Sequence, residues 1–100
     1  MLHMIIATHN PENCGLFSPT IRGKVHSMLG KTGAIEKKHG VTIQHIWANI
    51  PAHVTYFLMD GPSAHVINDA LIDLGIIEYN TVDVHPVITL DQALLRLAHD

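Results

Sequence analysis

Apolar positions recur along this chain at two different periods, and the changes of period mark its elements. Leu2 to Thr8 is a short, nearly continuous apolar run and reads as a strand. Asn10-Pro11-Glu12-Asn13-Cys14-Gly15 follows with turn residues and no periodicity, which makes it a loop. Ser18 and Pro19 then supply an N-cap and a proline at the first helical position. Ile21, Val25, Met28, Leu29, Thr32, Ile35 and His39 come next at helical spacing, until Gly40 stops the helix. Gly23, Gly30 and Gly33 each weaken it by about 1 kcal/mol relative to alanine, so packing has to support it.

Val41 to Ala48 and His53 to Asp60 are rich in β-branched and aromatic residues and flank Pro51, as in an antiparallel hairpin. Gly61-Pro62-Ser63 opens a second helix with an inward stripe of Ile67, Ala70, Leu71 and Leu74, ended by Gly75. Val82 to Ile88 reads as a fourth strand, where Pro86 favours an edge position. Thr89 and Gln92 form a capping-box pair that starts a short last helix. The order βαββαβ plus a terminal helix predicts an α+β, ferredoxin-like fold over residues 1–100 as a single domain: a four-stranded antiparallel sheet with both main helices on one face. The strands are apolar on both sides, as in Leu2, Met4 and Ile6 against Ile5 and Ala7. Two helices cover one face, so the other is expected to meet a second sheet, most simply that of an identical subunit.

With its element order, the strand-turn-helix "HVTYFLMDGPSAHVINDAL" and the closing "HPVITLDQAL", the chain resembles the dimeric α+β-barrel superfamily. That superfamily includes muconolactone isomerase, small cofactor-free quinone-forming monooxygenases and GYD-like families. The resemblance implies two sheets joined into a barrel by a homodimer and a small organic ligand bound between sheet and helices. It implies an isomerase or cofactor-independent oxygenase as the activity, by analogy of fold.

Composition narrows the classes. Hydrophobic residues make up 47% of the chain and charged residues 15%, against a usual charged share of about 25%. There is little charge to coat a lone monomer, which again favours a partner surface. The net charge of −3 and the absence of a Lys/Arg cluster beyond Lys37-Lys38 exclude nucleic acid as a partner. No apolar run approaches the ~20 residues of a membrane span, and the opening residues lack the cationic start of a signal peptide. Cys14 is the lone cysteine, so no internal disulfide forms and a reducing, cytoplasmic location is expected.

The unusual chemistry is imidazole: nine histidines, more than the six lysines and arginines together. Strand parity places His3 with Ile5, His45 with Trp47, His53 with Phe57, and His85 with Asp83. One edge of the sheet is expected to gather His3, His45, His53 and Trp47. The opposite edge is expected to gather His9, Cys14, Asp83 and His85. Hairpin register decides the first group: Trp47 opposite His53 puts His45 and His53 on one face, whereas Trp47 opposite Val54 replaces His53 with Tyr56.

Three chemical readings stay open. As an acid/base site without cofactor, His53, His85 and His45 are the catalytic candidates beside an apolar wall, with Trp47 and Tyr56 shaping the pocket. As a metal site, His3, His45 and His53 would hold a divalent transition ion (Zn, Ni, Cu or Fe), although no compact ligand motif is present. In the third, the histidines are hydrogen-bonded structural groups in a dimer interface or a non-catalytic ligand-binding module. Cys14 in "HNPENCGL" gains reactivity from a nearby His9 and joins it as a substrate-binding candidate. Arg22 and His26, one helical turn apart, are candidates for an acidic group of the substrate. His65 and His99 are assigned no role.

Overall fold

The computed structural model describes residues 1–98, which leaves His99 outside the described residues. Its elements are β1 (Leu2–Thr8), α1 (Pro19–His39), β2 (Thr42–Asn49), β3 (Val54–Asp60), α2 (Ala64–Leu74), β4 (Thr81–Val87) and α3 (Leu90–Leu97), with short 3-10 turns at Pro11–Asn13 and Ile76–Glu78. The local signals work as expected. The Ser18 hydroxyl accepts from Ile21 N at 3.2 Å, Gly40 ends α1 at a φ of 66°, and Gly75 follows α2 at a φ of 80°. Thr89 and Gln92 exchange both hydrogen bonds of a capping box.

The strands form one antiparallel sheet in the order β2-β3-β1-β4, the expected ferredoxin-like arrangement. β4 lies at an edge, where Pro86 takes no amide from the ladder. β1 is central, opposite β3 (Ile5 beside Phe57) and β4 (Ile5 beside Val84). Ile5, Ala7, Phe57 and Met59 therefore face the helices and bury completely or nearly so. The α2 stripe of Ile67, Ala70, Leu71 and Leu74 meets them, with Met28 and Ile35 from α1 and Ile76 beyond α2.

β2 is irregular. Ile43 pairs with Met59, but His45 pairs with Leu58, so Gln44 is an extra residue that shifts the register. Ile43 N donates to Glu36 Oε2 at 2.9 Å, tying this edge strand to α1. Beyond the bulge, parity is inverted: Ile46 and Ala48 join the helix side, while His45 and Trp47 go to the other face with Tyr56 and Leu58.

Among the described residues, no helix covers that other face. Leu2, Met4, Ile6, Val54, Tyr56 and Leu58 are only half-buried there, and Trp47 is 46% exposed. The His45 and Trp47 rings stack on it with centroids 4.9 Å apart. α3 also buries none of its residues and leaves Leu90, Leu94, Leu95 and Leu97 exposed.

Two glycines give a paired test of the packing. A Cβ on Gly61 would stand 2.8 Å from Ile67 Cδ1 and 3.0 Å from Val41 Cγ1, both on buried side chains, whereas one on Gly33 meets nothing within 4 Å. Gly61→Ala is expected to cost about 1–3 kcal/mol through overpacking. Gly33→Ala is expected to stabilise by up to about 1 kcal/mol through helix propensity. Urea denaturation of the two variants checks the opposite signs.

Candidate imidazole–thiol site

Because β1 and β3 are antiparallel, the end of β1 meets the start of β3. Thr8 pairs with Val54 and also with Thr81 at the start of β4. The residue after β1, His9, therefore lies beside His53, which precedes β3, and near Asn80, which precedes β4. His9 N donates to His53 O at 3.1 Å, and the two rings meet edge to face with centroids 5.4 Å apart.

His53 itself ends a tight turn. Its N–H donates to Ile50 O at 3.2 Å, and Ala52 N donates to the Asn49 side chain. It adopts a φ of 57°, the one positive φ of a non-glycine among the described residues. An L-residue held in that left-handed region costs roughly 1–2 kcal/mol, and here the conformation turns the imidazole toward the helix side of the sheet.

Cys14 arrives on the loop after β1. Asn10 caps the Pro11–Asn13 turn by accepting from Asn13 N at 3.0 Å, and Cys14 N donates to Pro11 O at 3.2 Å. Cys14 O then accepts from Phe17 N and Ser18 N, joining the loop to the start of α1. Arg22 grips the next residues, with Nε on Gly15 O at 2.9 Å and Nη2 on Leu16 O at 3.0 Å. Cys14 ends only 6% exposed. One ligand atom from each of His9, Cys14 and His53 falls within 4.8 Å of the other two.

The hydrogen-bond network fixes the tautomer of His9. Asn80 Nδ2 donates to Ile76 O at 3.1 Å, which turns Asn80 Oδ1 toward His9 Nδ1, also at 3.1 Å. Oδ1 accepts, so Nδ1 carries the proton of the neutral ring and Nε2 keeps a lone pair. Nε2 is buried without a partner, as is Nδ1 of His53.

Two adjoining cavities open from this cluster, between the sheet and α1. One of about 380 Å³ is lined by His9, Cys14, Arg22, His26 and His53. The other, of about 220 Å³, runs deeper past Val25, Met28, Ile46, Phe57 and Tyr79. Ala48, Thr55 and His9 border both. Burial, with Glu78 beside it, raises the pKa of the Tyr79 phenol above its ordinary value, so its proton stays on at neutral pH.

Several sequence expectations are corrected by this geometry. The edge grouping of His3, His45 and His53 does not form. His3 sits opposite Met59 at the far end of the sheet, fully buried with neither ring nitrogen partnered. His45 lies on the open face, as do Trp47 and Tyr56, which consequently do not line the cleft. Trp47 pairs with Tyr56, the face assignment of the second hairpin alternative, with the partner two residues further along β3. His85, opposite Met4, is exposed on the open face and not beside His9. Arg22 is used on loop carbonyls and does not present a free fork to an anion; His26 is exposed at the cavity rim. Asn80 and Tyr79 were missed, since no spacing in "EYNT" signals either role.

No family model matches the chain, and no curated protein does. Among solved structures it is similar to the crystal structure of SCO4226 from Streptomyces coelicolor A3(2), with a TM-score of 0.51 and 19% identity, over 87% of this chain and 99% of that one. A likeness at that identity speaks for the α+β fold alone.

The αL turn yields a separate test of the site's scaffold. His53→Gly is expected to hold the hairpin at least as well as histidine, because glycine adopts a positive φ without steric cost. His53→Val is expected to be less stable than His53→Gly by about 1–2 kcal/mol. Denaturant midpoints of the two variants decide this.

Proposed function

We propose that this protein holds a small, mostly apolar organic molecule in the sheet–helix cleft and acts on it at the His9–Cys14–His53 end. The observation that carries the reading is the buried, unpartnered Nε2 of His9 at the head of an apolar cavity. A cleft of several hundred Å³ with few polar groups is the usual form of a small-molecule site. The bound molecule would place its polar, reacting group against the imidazoles and its apolar body toward Met28 and Phe57. Proton abstraction from a carbon next to a carbonyl is the reaction class suited to such an end. The base is either the His9 lone pair or a group that the cluster itself holds. His53 stays among the acting residues, and His9 takes the place of His85 and His45 beside it.

The reading includes a homodimer formed through the open sheet face. Leu2, Met4, Ile6, Tyr56, Leu58 and Trp47 make an apolar surface in one plane, of the kind that marks association sites. Burying it against a second copy leaves the cleft, on the opposite side of the sheet, accessible. The exposed leucines of α3 add a second apolar surface to the same chain.

An environment-sensitive apolar dye tests the cleft. Saturable binding of one dye per chain, abolished by Ala48→Trp, is the expected result. No saturable binding, or binding unchanged by Ala48→Trp, contradicts it. Sedimentation is expected to give twice the 11.0 kDa of one chain, falling toward the monomer in Leu58→Lys. A wild-type monomer at micromolar concentration overturns the interface.

A further inference from the structure

The head of the cleft has an electrostatic peculiarity. His9 Nε2 is a lone pair by tautomer, His53 Nδ1 is buried without a partner, and Cys14 brings a sulfur to the same space. Ring nitrogens buried without hydrogen-bond partners carry a desolvation cost that needs an explanation. The cavity walls offer little relief. Arg22, which lines the cavity from α1, is turned onto Gly15 O and Leu16 O, and His26 is exposed. What would satisfy two imidazole nitrogens and a cysteine sulfur together is a Lewis acid, bound as the thiol gives up its proton.

We infer that His9, Cys14 and His53 form a binding site for a divalent first-row transition ion of zinc type, with its remaining coordination position open to the cleft. The inference rests on the reading of the cleft as a small-molecule site and names the cofactor of that same site.

The donor set suits such an ion. Two imidazoles and one thiolate form a borderline-soft N₂S set that selects zinc-like ions over magnesium or calcium. Zn–N of about 2.0 Å and Zn–S of about 2.3 Å place tetrahedral ligands roughly 3.3–3.6 Å apart. The three atoms, all within 4.8 Å of one another, reach that spacing by small side-chain rotations. The outer contacts are already in place. Asn80 Oδ1 accepts from His9 Nδ1–H, the arrangement that aims a histidine ligand and fixes its tautomer. Backbone hydrogen bonds on both sides of Cys14 hold its loop, and the αL turn at His53 sets the third ligand.

Binding would displace one proton, from the Cys14 thiol, since the thiolate is the ligand and both histidines bind as neutral rings. A water on the open position, acidified by the ion, would then face the apolar cavity as the base of the reaction class above. His3, buried and unpartnered but alone at the far end of the sheet, offers no comparable donor set.

The experiment is a zinc titration of reduced, untagged protein against a chromophoric chelator, repeated with cobalt(II) to read the thiolate-to-metal charge-transfer band. The expected result is one zinc per chain, with a cobalt thiolate band. His53→Gly, chosen because the turn tolerates it, is expected to weaken zinc binding by at least about 100-fold, and Cys14→Ser to remove the band. Asn80→Ala is expected to weaken it about 10–100-fold, with Asn80→Asp restoring it because a carboxylate still accepts from Nδ1–H. His45→Ala, on the opposite face, is expected to bind as the wild type does. Failure of the folded wild type to take zinc overturns the inference, as does unchanged binding in both His53→Gly and Cys14→Ser. The cleft is judged separately by the dye. Dye binding without zinc binding removes the metal site and keeps the cleft. Zinc binding without dye binding keeps the metal site and removes the small-molecule reading.

Discussion

A central strand with both neighbours running against it is the constraint on which the rest of this structure depends. β1 pairs antiparallel with β3 on one side and β4 on the other. Its C-terminal end must therefore lie between the starts of two other strands. Three segments distant in sequence, those of His9, His53 and Asn80, meet there because of backbone hydrogen bonding alone. The side chains then add direction: the αL turn presents the His53 ring, and Asn80 sets the proton on His9. Removing the antiparallel pairing would leave no reason for these residues to be neighbours.

The second determinant is one extra residue. Gln44 bulges out of β2 and inverts the parity of everything after it. Small and aliphatic side chains, Ala48 and Ile46, consequently face α1 and leave space under it, where a tryptophan would have filled the cleft. Trp47, with His45 stacked on it, is carried to the open face together with Tyr56. The bulge thus separates two features of one sheet: a cavity on the helix side and an apolar plane on the other.

Most of the fold was legible in the sequence because its signals are local. Ser18-Pro19, Ser63, Gly40, Gly75 and the Thr89–Gln92 box each mark an end by a mechanism confined to a few residues, and the α2 stripe of Ile67, Ala70, Leu71 and Leu74 follows from helical period. The site was legible only in fragments. His9, Cys14 and His53 were each singled out, yet grouping them required the polarity of neighbouring strands. The expected edge set put the start of β3 with the start of β1, a parallel arrangement that antiparallel pairing forbids. The odd-numbered face was also not continuous: β4 pairs with β1 even to odd, which sends His85 away. Register is a long-range property, and a slip or bulge of one residue leaves no trace in composition. Asn80 was illegible for another reason, since its role exists only once Ile76 O and His9 Nδ1 flank it.

The shared premise of the cleft and the metal site is that His9 offers a lone pair at Nε2. Long-range ¹H–¹⁵N correlation of the imidazoles in metal-free protein, at a pH high enough to leave the rings uncharged, reads that property directly. His9 should show a single, neutral tautomer with the proton on Nδ1 and Nε2 bare, and Asn80→Ala should release it into the exchange-averaged mixture typical of free histidine. A His9 ring protonated at Nε2, or one averaged between tautomers in the wild type, would mean that no lone pair is aimed at the cavity and would contradict the proposed chemistry at its source.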